Sequence, residues 1–199
     1  MKLRKMITVV CLLAVTTTTS VYASDVYEWF KAKEVKVSVN GSGLDSKGYL
    51  TEDGKTYLPL REITNTLQGI VVWDAQNQTV KINKPNVHIS LLYVKDNKNL
   101  VPFGDVEKGK HEFVIFTQVD SLYTRVNAIK TVVEDIYGKN IYTYEHDIQN
   151  PKENFYVTTP SIQVDFKHIG KYTVKLYMKQ DGNSSYSLVS ERVIRSLAP

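Results

Sequence analysis

One cysteine stands in the 199 residues, Cys11, and it lies close to the N-terminus. Once that end is removed, disulfides, thiolate metal sites and a cysteine nucleophile are all excluded. Long hydrophobic runs are lacking too. The one apolar run, residues 6–15, is interrupted by the polar stretch 16–20, short of the roughly 20 residues a membrane helix needs. Nor does one sign of charge dominate. Lys and Arg number 25 against 21 Asp and Glu, and three of the positives (Lys2, Arg4, Lys5) belong to the extreme N-terminus. Without residues 1–23 the balance is 22 to 21. That is too even for a general electrostatic grip on nucleic acid or anionic lipid, which needs clustered excess Lys and Arg. A hydrophobic content of 42% excludes wholesale disorder.

The N-terminus reads as a secretory signal over residues 1–23. A charged start precedes an apolar segment of suitable length, and Val21-Tyr22-Ala23 presents modest and small side chains for cleavage after Ala23. Cys11 lies early in the apolar segment, preceded by Thr8-Val9-Val10, so it is not placed as a lipidated cysteine. The expectation is a secreted or cell-wall-associated chain without lipid and without stable membrane insertion after cleavage. Residues 24–33 form a lead-in in which Trp29 and Phe30 pack against the small unit that begins at residue 34.

Residues 34–85 read as a small α+β unit. Val35, Val37 and Val39 alternate as a half-buried strand requires, and Asn40-Gly41 is a tight-turn signal. Residues 49–51 and 55–58 flank Asp53-Gly54, a second hairpin signature. The period then changes: after Pro59, the residues Leu60, Ile63, Thr64 and Leu67 fall on one helical stripe, with Gly69 placed to take the left-handed conformation that ends a helix. Two β-rich runs, 70–73 and 79–82, are separated by a turn at 74–78.

The ordered motifs Val37-Ser38-Val39-Asn40-Gly41, Asp53-Gly54-Lys55-Thr56-Tyr57-Leu58-Pro59-Leu60-Arg61, Val72-Trp73-Asp74 and Thr79-Val80-Lys81-Ile82 resemble the copper amine oxidase N-terminal-like, or stalk, domain family, common in secreted proteins of Gram-positive bacteria. That family resembles the protruding stalk of some amine oxidases, which holds neither copper nor quinone. The resemblance implies an accessory envelope module, with no catalytic residue and no cofactor to carry over. Ile70 stands where family members often have a small apolar residue.

Residues 86–199 read as strands throughout, at 87–94, 111–119, 125–136, 141–146, 161–166, 171–179 and 185–194, with turn signals such as Gly138-Lys139-Asn140 and Thr159-Pro160 between them. This spacing argues for an antiparallel β-sandwich. Gly170-Lys171-Tyr172-Thr173-Val174 resembles the late-strand segment of Ig-like domains, where a tyrosine tucks into the corner between sheets. The fold class expected is therefore mainly β with one short helix: a stalk domain followed by an Ig-like sandwich.

Catalytic and metal motifs are not found in the sequence. His88, His111, His146 and His168 are scattered without metal-ligand spacing, and carboxylates such as Glu134, Asp135, Glu145 and Asp147 read as solvated turn and strand residues. Tyrosine is the one excess, 13 in all. Tyr142 and Tyr144 share a strand face, and Tyr177 faces outward opposite Val174, Leu176 and Met178. Tyrosine is favoured in strands for packing alone, but these three are also the candidates for a ligand-binding surface, because apolar sugar faces stack on exposed aromatic rings. The functional expectation is a non-catalytic, secreted cell-envelope protein that binds or scaffolds a cell-wall or extracellular protein partner. The alternatives are a carbohydrate- or peptidoglycan-binding module and an accessory or inhibitor subunit of an extracellular enzyme.

Overall fold

The computed structural model describes residues 32–95, 99–149, 153–180 and 185–199. The signal segment expected over residues 1–23, with Cys11, and Trp29 and Phe30 of the expected lead-in lie outside the described residues. Contacts divide the chain into two compact units, one ending at Pro59 and the other beginning at Leu60.

In the first unit, β1 (Ala32–Val35) pairs antiparallel with β4 (Gly48–Thr51), which pairs with β5 (Thr56–Tyr57), while β2 (Ser38–Val39) and β3 (Ser42–Gly43) form a separate hairpin. Asn40 and Gly41 both take positive φ, 52° and 82°, the two-residue turn whose twist matches a hairpin. The strand expected over 34–39 is therefore two strands, interrupted at residues 36–37. Gly48 is buried because the chain closes over it. A Cβ there would come within 2.9 Å of Leu58 Cδ2 and 3.1 Å of the Tyr57 carbonyl.

The second unit opens with a seven-residue helix, α1 (Leu60–Thr66), followed by the hairpin β6 (Ile70–Asp74) and β7 (Thr79–Asn83). The helical stripe is buried only at Thr64; Leu60 and Leu67 are 39% and 40% exposed. The expected role of Gly69 is also different. Gln68, with φ 59°, takes the left-handed position. The Gly69 amide donates to the Thr64 carbonyl at 2.8 Å and the Gln68 amide to that of Asn65 at 2.9 Å, a Schellman closure. Glycine is needed at 69 for proximity, since a Cβ there would lie 2.7 Å from Thr64 Cγ2.

Ten strands complete the unit: β8 (Asn86–Lys95), β9 (Asn99–Phe103), β10 (Asp105–Glu107), β11 (Gly109–Asp120), β12 (Val126–Glu134), β13 (Asn140–Asp147), β14 (Phe155–Thr158), β15 (Ile162–Phe166), β16 (Gly170–Gln180) and β17 (Tyr186–Leu197). One sheet runs β10-β17-β16-β12-β13. The other runs β14-β11-β8-β9, with β15 also on β11. Their inner faces meet in one apolar cluster that includes Phe113, Ile115, Ile129, Val133, Phe166, Tyr172, Leu176, Met178 and Ile194. The arrangement is an Ig-like sandwich, down to the parallel pairing of the short β10 with β17. The seven strands expected here all form. β9, β10 and β14 are not legible in the sequence, being three to five residues long and, in β9, containing Pro102.

Tyr172 fulfils the corner role. It is 1% exposed, its ring meets Phe166 edge-on at 4.8 Å, and its hydroxyl accepts the His168 amide at 3.1 Å. At the other boundary of the unit, Ile70 is 0% exposed and belongs to the same core cluster, with Val72 packed against it. The division expected between residues 85 and 86 thus differs from the one the contacts make, because β6 contributes its inward side chains to the sandwich core.

Candidate functional site

Alternation along a strand sends every second side chain to the same side of a sheet. On β16 the residues Val174, Leu176 and Met178 are 0% exposed, so Tyr177 and Lys179 face outward. Register carries the pattern across the sheet. Lys130 lies opposite both Tyr177 and Glu145, and Lys179 lies opposite Tyr186. A register shift between Leu176 and Tyr177 offsets β17, so that Tyr186 lies opposite the outward Lys179 and on the same side of the sheet as Tyr177.

The outcome is a compact cluster on the outer face. The Lys130 ammonium sits 4.1 Å from the Tyr186 ring centroid and 5.3 Å from that of Tyr177, and Lys179 lies 5.8 Å from Tyr186. The Tyr186 hydroxyl donates to Glu145 Oε2 at 3.3 Å. Burial, then the Glu145 charge, pushes the Tyr186 phenol up, which keeps it protonated and a donor at neutral pH. Beside the cluster, Lys175 pairs with Glu134 at 2.6 Å, its pKa raised chiefly by that hydrogen bond. Arg195 grips Asp105 through two bonds of 2.9 and 2.7 Å. Cations and carboxylates are interspersed here, so the face carries no strong field of one sign.

The three tyrosines singled out from the sequence are not brought together. Tyr177 faces outward as expected. Tyr142 and Tyr144 do share a face, but it is the opposite one: they lie across from Val133 and Thr131, which are 0% and 3% exposed. Tyr142 packs against the core cluster, and burial, then Tyr144, raises its phenol pKa. Tyr144 stacks on His146 with centroids 6.3 Å apart. Sequence reasoning does not single out Tyr186 or Lys130 for this face. No local signal marks them, since the shifted β16–β17 register places Tyr186.

The histidines are dispersed. His111 is held between the Tyr93 hydroxyl at 3.0 Å from Nδ1 and the Glu107 carbonyl at 2.7 Å from Nε2, and His168 meets Tyr137 edge-on at 5.6 Å. Among the described residues no group of three or more His, Cys, Asp or Glu is placed to hold a metal ion. A cleft of about 330 Å³ is lined by Asp135, Lys139, Gln163, Asp165, Lys167 and His168, among others. Asp135 is committed to the β12–β13 turn, where one carboxylate oxygen accepts the amides of Tyr137 and Lys139, both at 2.9 Å.

The hairpin β2–β3, the turn between β4 and β5, α1 and the hairpin β6–β7 occur in the order that the sequence motifs require. Residues 38–105 match the copper amine oxidase N-terminal domain. The copper amine oxidase N-terminal match covers about a third of the chain and runs past β7 through β8 and β9, well beyond the region marked by the motifs. No curated protein matches the chain.

Proposed function

We propose that the chain is a secreted, non-catalytic protein of a Gram-positive cell envelope, acting as a binding module that holds wall glycan on the outer face of the β10-β17-β16-β12-β13 sheet. The observation that carries this reading is the cluster of Tyr177, Tyr186, Lys130 and Glu145. Two half-buried rings offer hydrocarbon for the apolar side of a sugar, and the ammonium and carboxylate beside them offer a donor and an acceptor for its hydroxyls. Balanced charge on the same face favours a neutral glycan over teichoic acid, whose phosphates call for excess cations. The signal-like N-terminus and the accessory character implied by the stalk resemblance support the envelope setting.

The test is sedimentation of the purified chain with isolated cell walls, with and without teichoic acids. Saturable binding is expected to survive removal of teichoic acids. It should weaken by about tenfold or more in Tyr177→Ala/Tyr186→Ala, at ~0.5–1.5 kcal/mol for each aromatic contact. Tyr142→Ala/Tyr144→Ala should leave the wall affinity of the folded protein unchanged. Binding that depends on teichoic acids, or that ignores the Tyr177 and Tyr186 changes, would overturn the assignment.

A further inference from the structure

The strand edges of the sandwich are protected unequally. β10 is three residues long; β9 is five residues long and contains Pro102; β14 and β15, of four and five residues, are separated by a break at Thr159-Pro160-Ser161. Short edges and prolines are devices that prevent a second strand from adding to a sheet. β13 has neither. It ends its sheet with eight residues, Asn140–Asp147, and among the described residues only β12 pairs with it. The run contains Ile141, Tyr142, Thr143 and Tyr144, all strand formers, and it has no lysine.

We infer that β13 is a self-association edge, pairing antiparallel with β13 of a second copy about a twofold axis at Tyr144. A twofold perpendicular to the sheet keeps like faces together and requires residue numbers across the axis to share parity. The register shift between Val133 and Glu134 of β12 places irregular chain at Ile141, leaving Tyr142–Asp147 as the regular stretch. Axes at Tyr144 and at Glu145 each use five of these six residues, but the second sets Glu145 directly against itself, a like-charge pair that disfavours it. With the axis at Tyr144, Tyr142 meets His146 of the other copy, Tyr144 meets itself, and Thr143 meets Glu145. Aromatic pairs fill one face, and no two like charges lie directly opposite on the other, which is the complementarity cross-strand pairs demand. Moving the axis to Thr143 would set Glu145 against the irregular Ile141 and shorten the ladder. The pairing rests on the backbone at the free edge of the strand and needs no glycan, although Glu145 of the outer-face cluster faces Thr143 of the other copy across the seam.

The experiment is sedimentation equilibrium of the purified chain from low micromolar to several hundred micromolar, together with variants that report the register. A reversible dimer is expected. Tyr144→Lys, which sets two ammonium groups opposite each other, should weaken dimerisation by tenfold or more. Thr143→Lys, which faces Glu145 of the other copy, should preserve or tighten it by a fewfold. In a Cys11→Ser background, Tyr144→Cys should yield a disulfide-linked dimer under mild oxidation, because opposed Cβ atoms lie within bridging reach, whereas Thr143→Cys should not. Circular dichroism of each variant separates lost pairing from lost folding, and the two cysteine variants need only a folded chain. A monomer at the highest concentration would overturn the inference. So would a dimer in which Tyr144→Lys and Thr143→Lys behave alike, or one in which Thr143→Cys crosslinks in place of Tyr144→Cys.

Discussion

Replacing Tyr172 with Phe removes one atom from the sandwich and tests how its corner is held. The ring is 1% exposed and lies 4.8 Å from Phe166, so Phe retains the packing. What is lost is the hydroxyl that accepts the His168 amide at 3.1 Å. A neutral hydrogen bond contributes ~0.5–1.5 kcal/mol net, and the orphaned amide belongs to a partly exposed turn that water can reach, which places the expected loss at about 1 kcal/mol. For a unit of this size that corresponds to a fall in Tm of roughly 2–6 °C. His168 supplies its backbone, not its imidazole, so His168→Ala keeps the bond and should change stability by less than ~0.5 kcal/mol. Tyr172→Ala also removes the ring and should cost about 3–5 kcal/mol. Urea and thermal unfolding followed by circular dichroism distinguish the three. A Tyr172→Phe variant as stable as the parent, or a His168→Ala variant that loses as much as Tyr172→Phe, would refute the argument that this single bond fastens the corner.

Further outcomes are expected in the β6–β7 region and at the end of α1. The Asp74 carboxylate accepts from the side chain and amide of Asn77 and from Lys81, and these bonds hold its pKa well below the usual carboxylate range. A depressed folded-state pKa means the contribution is fully present above the unfolded value of about 3.9 and is lost as pH falls below it toward the folded value. The parent should therefore lose stability in acid through this group, and Asp74→Asn should flatten that part of the profile, as read by unfolding curves between pH 2 and 6. At the end of α1, Gly69→Ala drives a methyl to 2.7 Å from Thr64 Cγ2 and 3.2 Å from the Asn83 carbonyl, for an expected cost of ~1–3 kcal/mol. Gln68→Gly relieves a left-handed glutamine and should stabilise by up to about 1 kcal/mol; a reversed order in thermal unfolding would show that the closure is misread.

Features that depend on near neighbours are legible in the sequence. Alternation of Val174, Leu176 and Met178 sets the buried side of β16 and, with it, the outward direction of Tyr177, because successive side chains of a strand must point to opposite faces. Asn40-Gly41 dictates its turn through the positive φ that both residues tolerate. Gly170-Lys171-Tyr172 marks the corner of an Ig-like sandwich. Which faces and which distant residues meet is decided only in the tertiary structure. Tyr142 and Tyr144 share a side by local geometry, but only the register with Val133 and Thr131 makes that side the inner one. Tyr186 joins Tyr177 and Lys130 through a register shift between β16 and β17. Ile70 enters the sandwich core from a hairpin whose sequence reads as part of another unit, and Gly69 is glycine because Thr64 folds back onto it, not because of its φ. Strand direction and turn type are set within a few residues by backbone sterics. Register and sheet order are set by long-range packing that single-sequence periodicity does not encode.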